Sequence, residues 1–205
     1  MSDDDQRTVL ARCRRRRFDR GKALFYEGDP GDSLHLLQRG TVAVRVTTPL
    51  GDVATLEVFR PGDAFGEQAL IAGDSTRSAT VVALEITETL QLAKADFEAL
   101  LAEHPGVSSM LAKMLDTRLR ATSKALVEAL YLPVPVRVFR RLVALADIYG
   151  EEAIPVTQED LATMAGTARQ TLNKLLRQAQ SDGLIELRRG QIAVSDRAGL
   201  ERRAR

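Results

Sequence analysis

The 205-residue sequence predicts an α+β chain in three parts: an all-β N-terminal half, one long helix, and a helical C-terminal module closed by a β-hairpin. Three observations carry that prediction. Residues 20–92 hold short runs of alternating polarity punctuated by glycine. Residues 107–132 contain neither Gly nor Pro and repeat their apolar positions at heptad spacing. Residues 157–195 run through cap, helix, glycine, second helix and hairpin. A period of two marks half-buried strands, whereas steps of three and four mark one helix face.

In the first part the glycines stand at 21, 28, 31, 40, 51, 62, 66 and 73, and between them lie ALFY, SLHLLQ, TVAVRV and VATLEVF. Short strands separated by Gly-Asp turns at this interval belong to a sandwich, barrel or jelly roll. SATVVALEITETLQLA, 78–93, supplies the last of them. The stretch FGEQALIAGDSTRSATV, 65–81, sets Glu67 and Arg77 on either side of a small loop. Such a pair is either a surface ion bridge or two halves of a site for a ligand with both an anion and a hydroxyl.

At Lys94 the period changes. KADFEALLAEHP reads as a short helix stopped by Pro105, and a long helix over 107–132 follows. Its residues Ala112, Leu115, Leu119, Thr122, Leu126 and Ala129 are spaced 3, 4, 3, 4, 3, the seam of two helices packed at a shallow angle. A single helix lying on its own β domain gives a similar stripe. A homodimer is preferred because the helix is long and bounded by two different modules. The hydroxyl of Thr122 within the seam needs a partner or a ligand.

YLPVPVR, 131–137, ends the long helix at Pro133 and Pro135. The expected organisation is therefore 1–106, a β domain; 107–132, the dimerisation helix; and 133–205, the C-terminal module. VRVFRRLVALADIYG forms one amphipathic helix of that module. Thr157 opens a Thr-x-x-Asp cap before DLATMA, Gly166 turns the chain, and Thr167 opens a Thr-x-x-Gln cap before TLNKLLRQAQ, which Gly183 ends. LIEL, RRG and QIAVS complete a winged helix-turn-helix pattern. Arg169, Gln170, Asn173 and Lys174 share one face of the second helix, with Leu172, Leu175 and Leu176 on the other. Arg pairs with guanine, Gln with adenine, and Lys and Asn suit bases or phosphates; Thr167 and Thr171 are placed for phosphates. A solvated polar face is the alternative, and the cap–glycine–cap–wing succession favours DNA.

Composition narrows the remaining classes. Net charge is only +1, but residues 133–205 carry 12 basic against 9 acidic side chains and residues 1–132 carry 17 against 19. Cys13 is the single cysteine, which excludes a disulfide framework and an all-cysteine metal or iron–sulfur site. No apolar run nears the roughly 20 residues of a membrane span, and MSDDDQ lacks a secretion signal, so a cytoplasmic compartment is expected. No nucleophile–base pair, metal-spaced cluster or P-loop points to an enzyme.

The motifs PGDAFGE…TRSATV, RLRATSKAL and ATMAGTARQTLNKLL together resemble the cyclic-AMP receptor protein/FNR superfamily of bacterial transcription regulators over nearly the whole chain. The resemblance implies an N-terminal β-roll (jelly roll) that binds a cyclic nucleotide, a dimerising long helix, and a winged helix that reads a two-fold symmetric operator. It implies that Glu67 accepts from the ribose 2′-hydroxyl, and that Arg77 and Ser78, with backbone N–H groups from Gly66 through Gln68 to Ala69, hold the cyclic phosphate. Thr122 and Ser123 would meet the base, one from each subunit, and Arg118 would lie near the ligand. A guanidinium suits a phosphate monoanion, and small residues let backbone N–H groups approach it.

The expected effector is cAMP, with cGMP, a cyclic dinucleotide or nucleotide-independent DNA binding as alternatives. Partners are double-stranded DNA, a second copy of the chain and, as a candidate, RNA polymerase. No metal, haem or iron–sulfur cluster is expected: Cys13 cannot ligate a cluster, and His35 and His104 read as surface residues. Departures concern the second helix, where the family's Ser-Arg-Glu-Thr is Ala168-Arg169-Gln170-Thr171. The lost serine moves the capping role toward Thr167, the lost glutamate alters the expected half-site, and Lys174 stands where the family has Arg.

Overall fold

The computed structural model of the protein describes residues 10–71 and 76–205; MSDDDQ and positions 72–75 of the FGE–RSA loop lie outside the described residues. The strands are β1 (Arg14–Phe18), β2 (Ala23–Phe25), β3 (Ser33–Arg39), β4 (Val42–Thr47), β5 (Val53–Phe59), β6 (Ala64–Phe65), β7 (Thr80–Ala83) and β8 (Thr87–Ala93). They form two four-stranded sheets, ordered β1-β8-β3-β6 and β2-β7-β4-β5. Leu37 and Phe65 of the first sheet pack against Val42, Phe59 and Val81 of the second, which closes the roll around an apolar core. The outer face of the first sheet is covered as well: Leu34 and Leu92 pack with Phe97, Leu100 and Leu111. Those last three residues lie on α2 (Lys94–Glu103) and α3 (Pro105–Tyr131), which follow α1 (Gln68–Ile71).

The long helix begins at Pro105 rather than Val107, since proline lacks an N–H and suits a first turn where that donor has no intrahelical partner. It carries two stripes. Val107 is buried and Leu111, Met114, Leu115 and Arg118 are half-buried, whereas Leu119, Leu126 and Leu130 are 67%, 59% and 67% exposed. The packed single helix thus accounts for the first stripe and leaves the second open.

The C-terminal elements are α4 (Val134–Tyr149), α5 (Gln158–Ala165), α6 (Arg169–Ser181), β9 (Ile185–Arg188), β10 (Gln191–Val194) and α7 (Arg197–Arg203). Leu142, Leu161, Leu172, Leu176, Ile154 and Ile192 form its aliphatic interior, each fully buried. The β9–β10 hairpin pairs antiparallel, and Ile154 bridges to Ile192. By compactness the chain divides into the described residues of Met1–Val46 with Val58–Ser123, and Thr47–Glu57 with Lys124–Arg205. Among the described residues no helix is long and apolar enough to cross a membrane.

His35 corrects a sequence expectation. It is 3% exposed, not a surface residue. The alternation in SLHLLQ is sound but its phase is opposite: Ser33, His35 and Leu37 face inward. The ring stacks on Phe65 with centroids 5.5 Å apart, and Nδ1 lies 3.1 Å from Thr89 Oγ1. Burial, followed by the charges of Arg77 and Arg16, lowers its pKa to about 4 against an opposing pull from Asp32. The folded-state pKa is below the unfolded one, so the unfolded chain binds more protons in this window. The stability that His35 contributes is therefore complete above about pH 6.5 and is lost as pH falls toward 4, by roughly 3 kcal/mol for a shift of this size. The melting temperature of His35→Phe should accordingly decline less than that of wild type between those pH values; parallel declines would contradict this assignment.

Candidate functional site

Gly66 follows β6 with φ +89°, a conformation that L side chains rarely adopt. A Cβ there would also sit 2.7 Å from Arg77 Nη1 and 3.1 Å from Ser33 O. Glycine is required twice at this position, by backbone and by space. The next residue, Glu67, is 1% exposed; its carbonyl accepts the N–H groups of Leu70 and Ile71, which starts the short helix α1. Glu67 Oε1 accepts a hydrogen bond from Arg118 Nη1, and Arg118 Nη2 donates to Ala64 O. The Arg118 guanidinium lies over the Phe59 ring, 4.6 Å from its centroid. Glu67 Oε2 is buried and, among the described residues, has no hydrogen-bond partner.

Arg77 is held first by its backbone: its N–H donates to Asp29 O and its carbonyl accepts from Gly28, both at 2.9 Å. Its side chain, 4% exposed, turns inward. Nη1 donates to Ser33 O at 2.7 Å and Gly66 O at 3.1 Å, while Nη2 reaches Ser33 Oγ at 3.1 Å and Asp32 Oδ1 at 3.5 Å. The guanidinium carbon lies 4.1 Å from the Phe25 centroid, and Nε is buried without a partner among the described residues. Burial pulls the pKa of Arg77 below its ordinary value, and Asp32, Asp29 and Glu67 pull it back up. Gln91 Nε2 donates to the same Ser33 hydroxyl at 2.9 Å. Ser78 donates to Gln68 Oε1 at 2.7 Å, and Ala69 is buried beside them.

The structure therefore brings Gly66 to Arg77, Glu67 to Arg118 and Gln68 to Ser78. Thr122 and Ser123 are exposed, and Ser123 Oγ donates to Leu119 O of its own helix at 2.8 Å. Among the described residues neither bonds to the β-strand residues. Sequence reasoning missed Asp32, Ser33, Gln91 and Phe25 around Arg77. The inward phase of β3 is the available signal, since it places Ser33 beside His35 on the interior face.

In the helix-turn-helix, Thr157 Oγ1 accepts from Asp160 N–H and Asp160 Oδ2 accepts from Thr157 N–H, the expected reciprocal cap. Gly166 is left-handed at φ 59°. The expected cap at Thr167 is corrected. Helix α6 starts at Arg169 with Ala168 at the capping position and no side-chain cap bond. The N–H of Thr167 is taken by Ala162 O, closing α5, so the residue belongs to the turn. Leu172 and Leu176 are fully buried and Leu175 half-buried. Arg169, Gln170, Thr171 and Lys174 are exposed and Asn173 half-buried. Arg169 pairs with Glu159 at 3.3 Å, a bridge exposed enough to break for another anion. Among the described residues no three His, Cys, Asp or Glu side chains are grouped to hold a metal ion.

The chain matches the family model "cyclic nucleotide-binding domain" over residues 15–104 and "Crp-like helix-turn-helix domain" over 136–203. It is 36% identical over 199 residues to a CRP-like cAMP-activated global transcriptional regulator of Mycobacterium tuberculosis, covering 92% of this chain and 87% of that one. It is 32% identical to the cyclic AMP receptor protein of Thermus thermophilus, covering 98% and 93%. Among solved structures, a CRP-family transcriptional regulator, also of Thermus thermophilus, superposes with a TM-score of 0.78 at 26% identity, over 92% of this chain and 96% of that one.

The two constraints on Gly66 are testable together. Gly66→Ala should destabilise the protein by about 1–3 kcal/mol in denaturant melts, from backbone strain and the displaced Arg77. A change within about 0.5 kcal/mol would show that the turn tolerates a side chain.

Proposed function

The chain belongs to the cyclic-AMP receptor protein/FNR superfamily of transcription regulators, and from that premise we propose a cytoplasmic homodimer whose DNA binding is governed by cAMP. The observation that carries the reading is the pair of buried atoms without a partner among the described residues, Glu67 Oε2 and Arg77 Nε. An unsatisfied buried polar group costs about 1–3 kcal/mol, more when charged. A cyclic nucleotide supplies what each lacks: a ribose hydroxyl that donates to the carboxylate and a phosphate oxygen that accepts from the guanidinium. These two unmet bonds are what supports a cyclic nucleotide as the ligand. Relatives named for cAMP support cAMP over cGMP.

Arg77 and Ser78 would hold the phosphate, joined by the backbone N–H groups from Gly66 to Ala69 at the entry to α1, where the first donors of a helix have no intrahelical acceptor. Glu67 would orient the ribose while Arg118 keeps the other carboxylate oxygen occupied. Thr122 and Ser123 would meet the base from α3 of each subunit. The exposed stripe of Leu119, Leu126 and Leu130 supports a second copy as the occupant of that helix face. Contact at Thr122 and Ser123 would then alter the seam, and the break at Pro133–Pro135 would set the two α6 helices about 34–36 Å apart, one per major-groove face. A ligand can do this only by binding the DNA-competent state more tightly. Arg169, Gln170, Asn173 and Lys174 would read bases, with Thr167 and Thr171 on phosphates, in a two-fold symmetric operator. RNA polymerase is a further candidate partner. The protein's role is regulatory rather than catalytic, with no metal required.

One observation favours a second reading. Both Nη groups of Arg77 and one oxygen of Glu67 already have protein partners, so much of their hydrogen bonding is satisfied without ligand. That suits a regulator gated by another nucleotide or by none.

Calorimetry with cAMP separates the two. Arg77→Leu and Glu67→Ala should each weaken cAMP binding by at least about tenfold, the value of one charge-assisted hydrogen bond. Unchanged affinity in both would remove the site, and a thermal-shift response to cGMP or a cyclic dinucleotide alone would favour the second reading. On the DNA side, Arg169→Ala should cost about 1–3 kcal/mol and relax sequence preference at one base pair. Lys174→Ala should instead reduce the salt slope by about 1 if it serves a phosphate. Gel shifts across salt concentrations check both; no loss in either variant would reject α6 as the reading helix.

A further inference from the structure

Three arginines lie on one face of α4: Arg137, Arg140 and Arg141, at i, i+3 and i+4. Arg137 donates from Nη1 to Ala129 O at 3.0 Å and Leu132 O at 3.4 Å, from Nε to Ala165 O at 3.1 Å, and from Nη2 to Gly166 O at 3.0 Å. Arg141 donates from Nε to Met164 O at 3.2 Å, and its Nη2 lies 3.5 Å from Glu128 Oε2. Arg140 donates from Nη1 to Glu128 Oε1 at 2.8 Å and from Nε to Ala204 O at 2.8 Å. Glu128 is only 8% exposed, and both of its oxygens face these cations.

The acceptors belong to two places. Glu128, Ala129 and Leu132 are at the end of α3; Met164, Ala165 and Gly166 are at the end of α5. Carbonyls in a final helical turn lack intrahelical donors and carry the negative end of the dipole, so both helix ends attract cations. A single planar guanidinium, Arg137, bridges them. Because only Thr167 and Ala168 separate Gly166 from the start of α6 at Arg169, the position of the α5 terminus sets where the exposed face of α6 begins.

We propose that Arg137, supported by Arg140, Arg141 and Glu128, is a positioning residue that transmits the state of the long helix to the recognition helix. It rests on the reading that a nucleotide governs DNA binding through α3. Its role differs from general support: a scaffold residue stabilises the module equally in every state, whereas a transmitting residue is needed for the difference between states. Lysine cannot replace it, because a point charge on a flexible stem does not reach four carbonyls on two helix ends at once.

The test compares wild type, Arg137→Lys and Arg140→Ala as full-length proteins. cAMP and cGMP are the nucleotides, and the DNA is a duplex selected by the wild type from a randomised pool. Nucleotide affinity is read by calorimetry, and DNA affinity is read with and without nucleotide. Wild type should show a ratio of DNA affinities in the allosteric range, about 5- to 150-fold. In Arg137→Lys the ratio should fall below about twofold while nucleotide affinity stays within about twofold of wild type. Arg140→Ala should show an intermediate ratio. Variants that lower both DNA affinities equally, leaving the ratio intact, would overturn the proposal and leave the nucleotide reading standing. A wild-type ratio of one with both nucleotides would overturn that reading and this proposal together.

Discussion

The guanidinium of Arg77 is buried, and its burial shapes the β half of the molecule. A charge taken out of water must recover its solvation from fixed dipoles. Here Ser33 O, Gly66 O and the Ser33 hydroxyl supply them, with Asp32 at the margin. Those partners impose conditions on three separate segments. The β6–α1 turn must carry a glycine, β3 must begin with a small hydroxyl residue facing inward, and residues 28–29 must pair with the Arg77 backbone. The aromatic ring of Phe25 below the cation and His35 alongside complete the arrangement. Among the described residues the Nε of the same cation has no hydrogen-bond partner, and that donor is the one the proposed ligand would use.

Much of the fold is legible in the sequence because period and punctuation are local properties. The change from period two to spacings of three and four at Lys94 locates the end of the sheets, and the Thr157–Asp160 cap and Gly166 locate the helix-turn-helix. Legibility fails where phase or competition decides. Alternation in SLHLLQ establishes a strand but not which residues face inward, and His35 looks like a surface residue for that reason. Thr167 has the composition of a cap, yet its N–H is already required to terminate α5, so the next residue takes the capping position without a side-chain bond.

The candidate site is legible in part for a related reason. Glu67 follows Gly66, whose turn is visible in sequence, and family resemblance names Glu67, Arg77 and Ser78 together. Ser33, which holds Arg77 from β3, in turn accepts from Gln91 of β8, and only the pairing of those strands brings the two together. The arginines of α4 look in sequence like the polar face of an amphipathic helix. Their acceptors are largely main-chain carbonyls, which leave no compositional trace, so the joint between the long helix and the helix-turn-helix emerges only in the folded chain.

The proposed regulation is a free-energy coupling between the Glu67–Arg77 region of the β-roll, as the proposed nucleotide site, and the exposed face of α6. Coupling of this kind is reciprocal: whatever factor the nucleotide adds to DNA affinity, DNA must add to nucleotide affinity. The most direct measurement is therefore a calorimetric titration of cAMP into the wild-type protein, alone and saturated with a duplex that it selects. The account predicts tighter cAMP binding to the DNA complex, by a factor of about 5 or more. Equal affinity with and without DNA would contradict it.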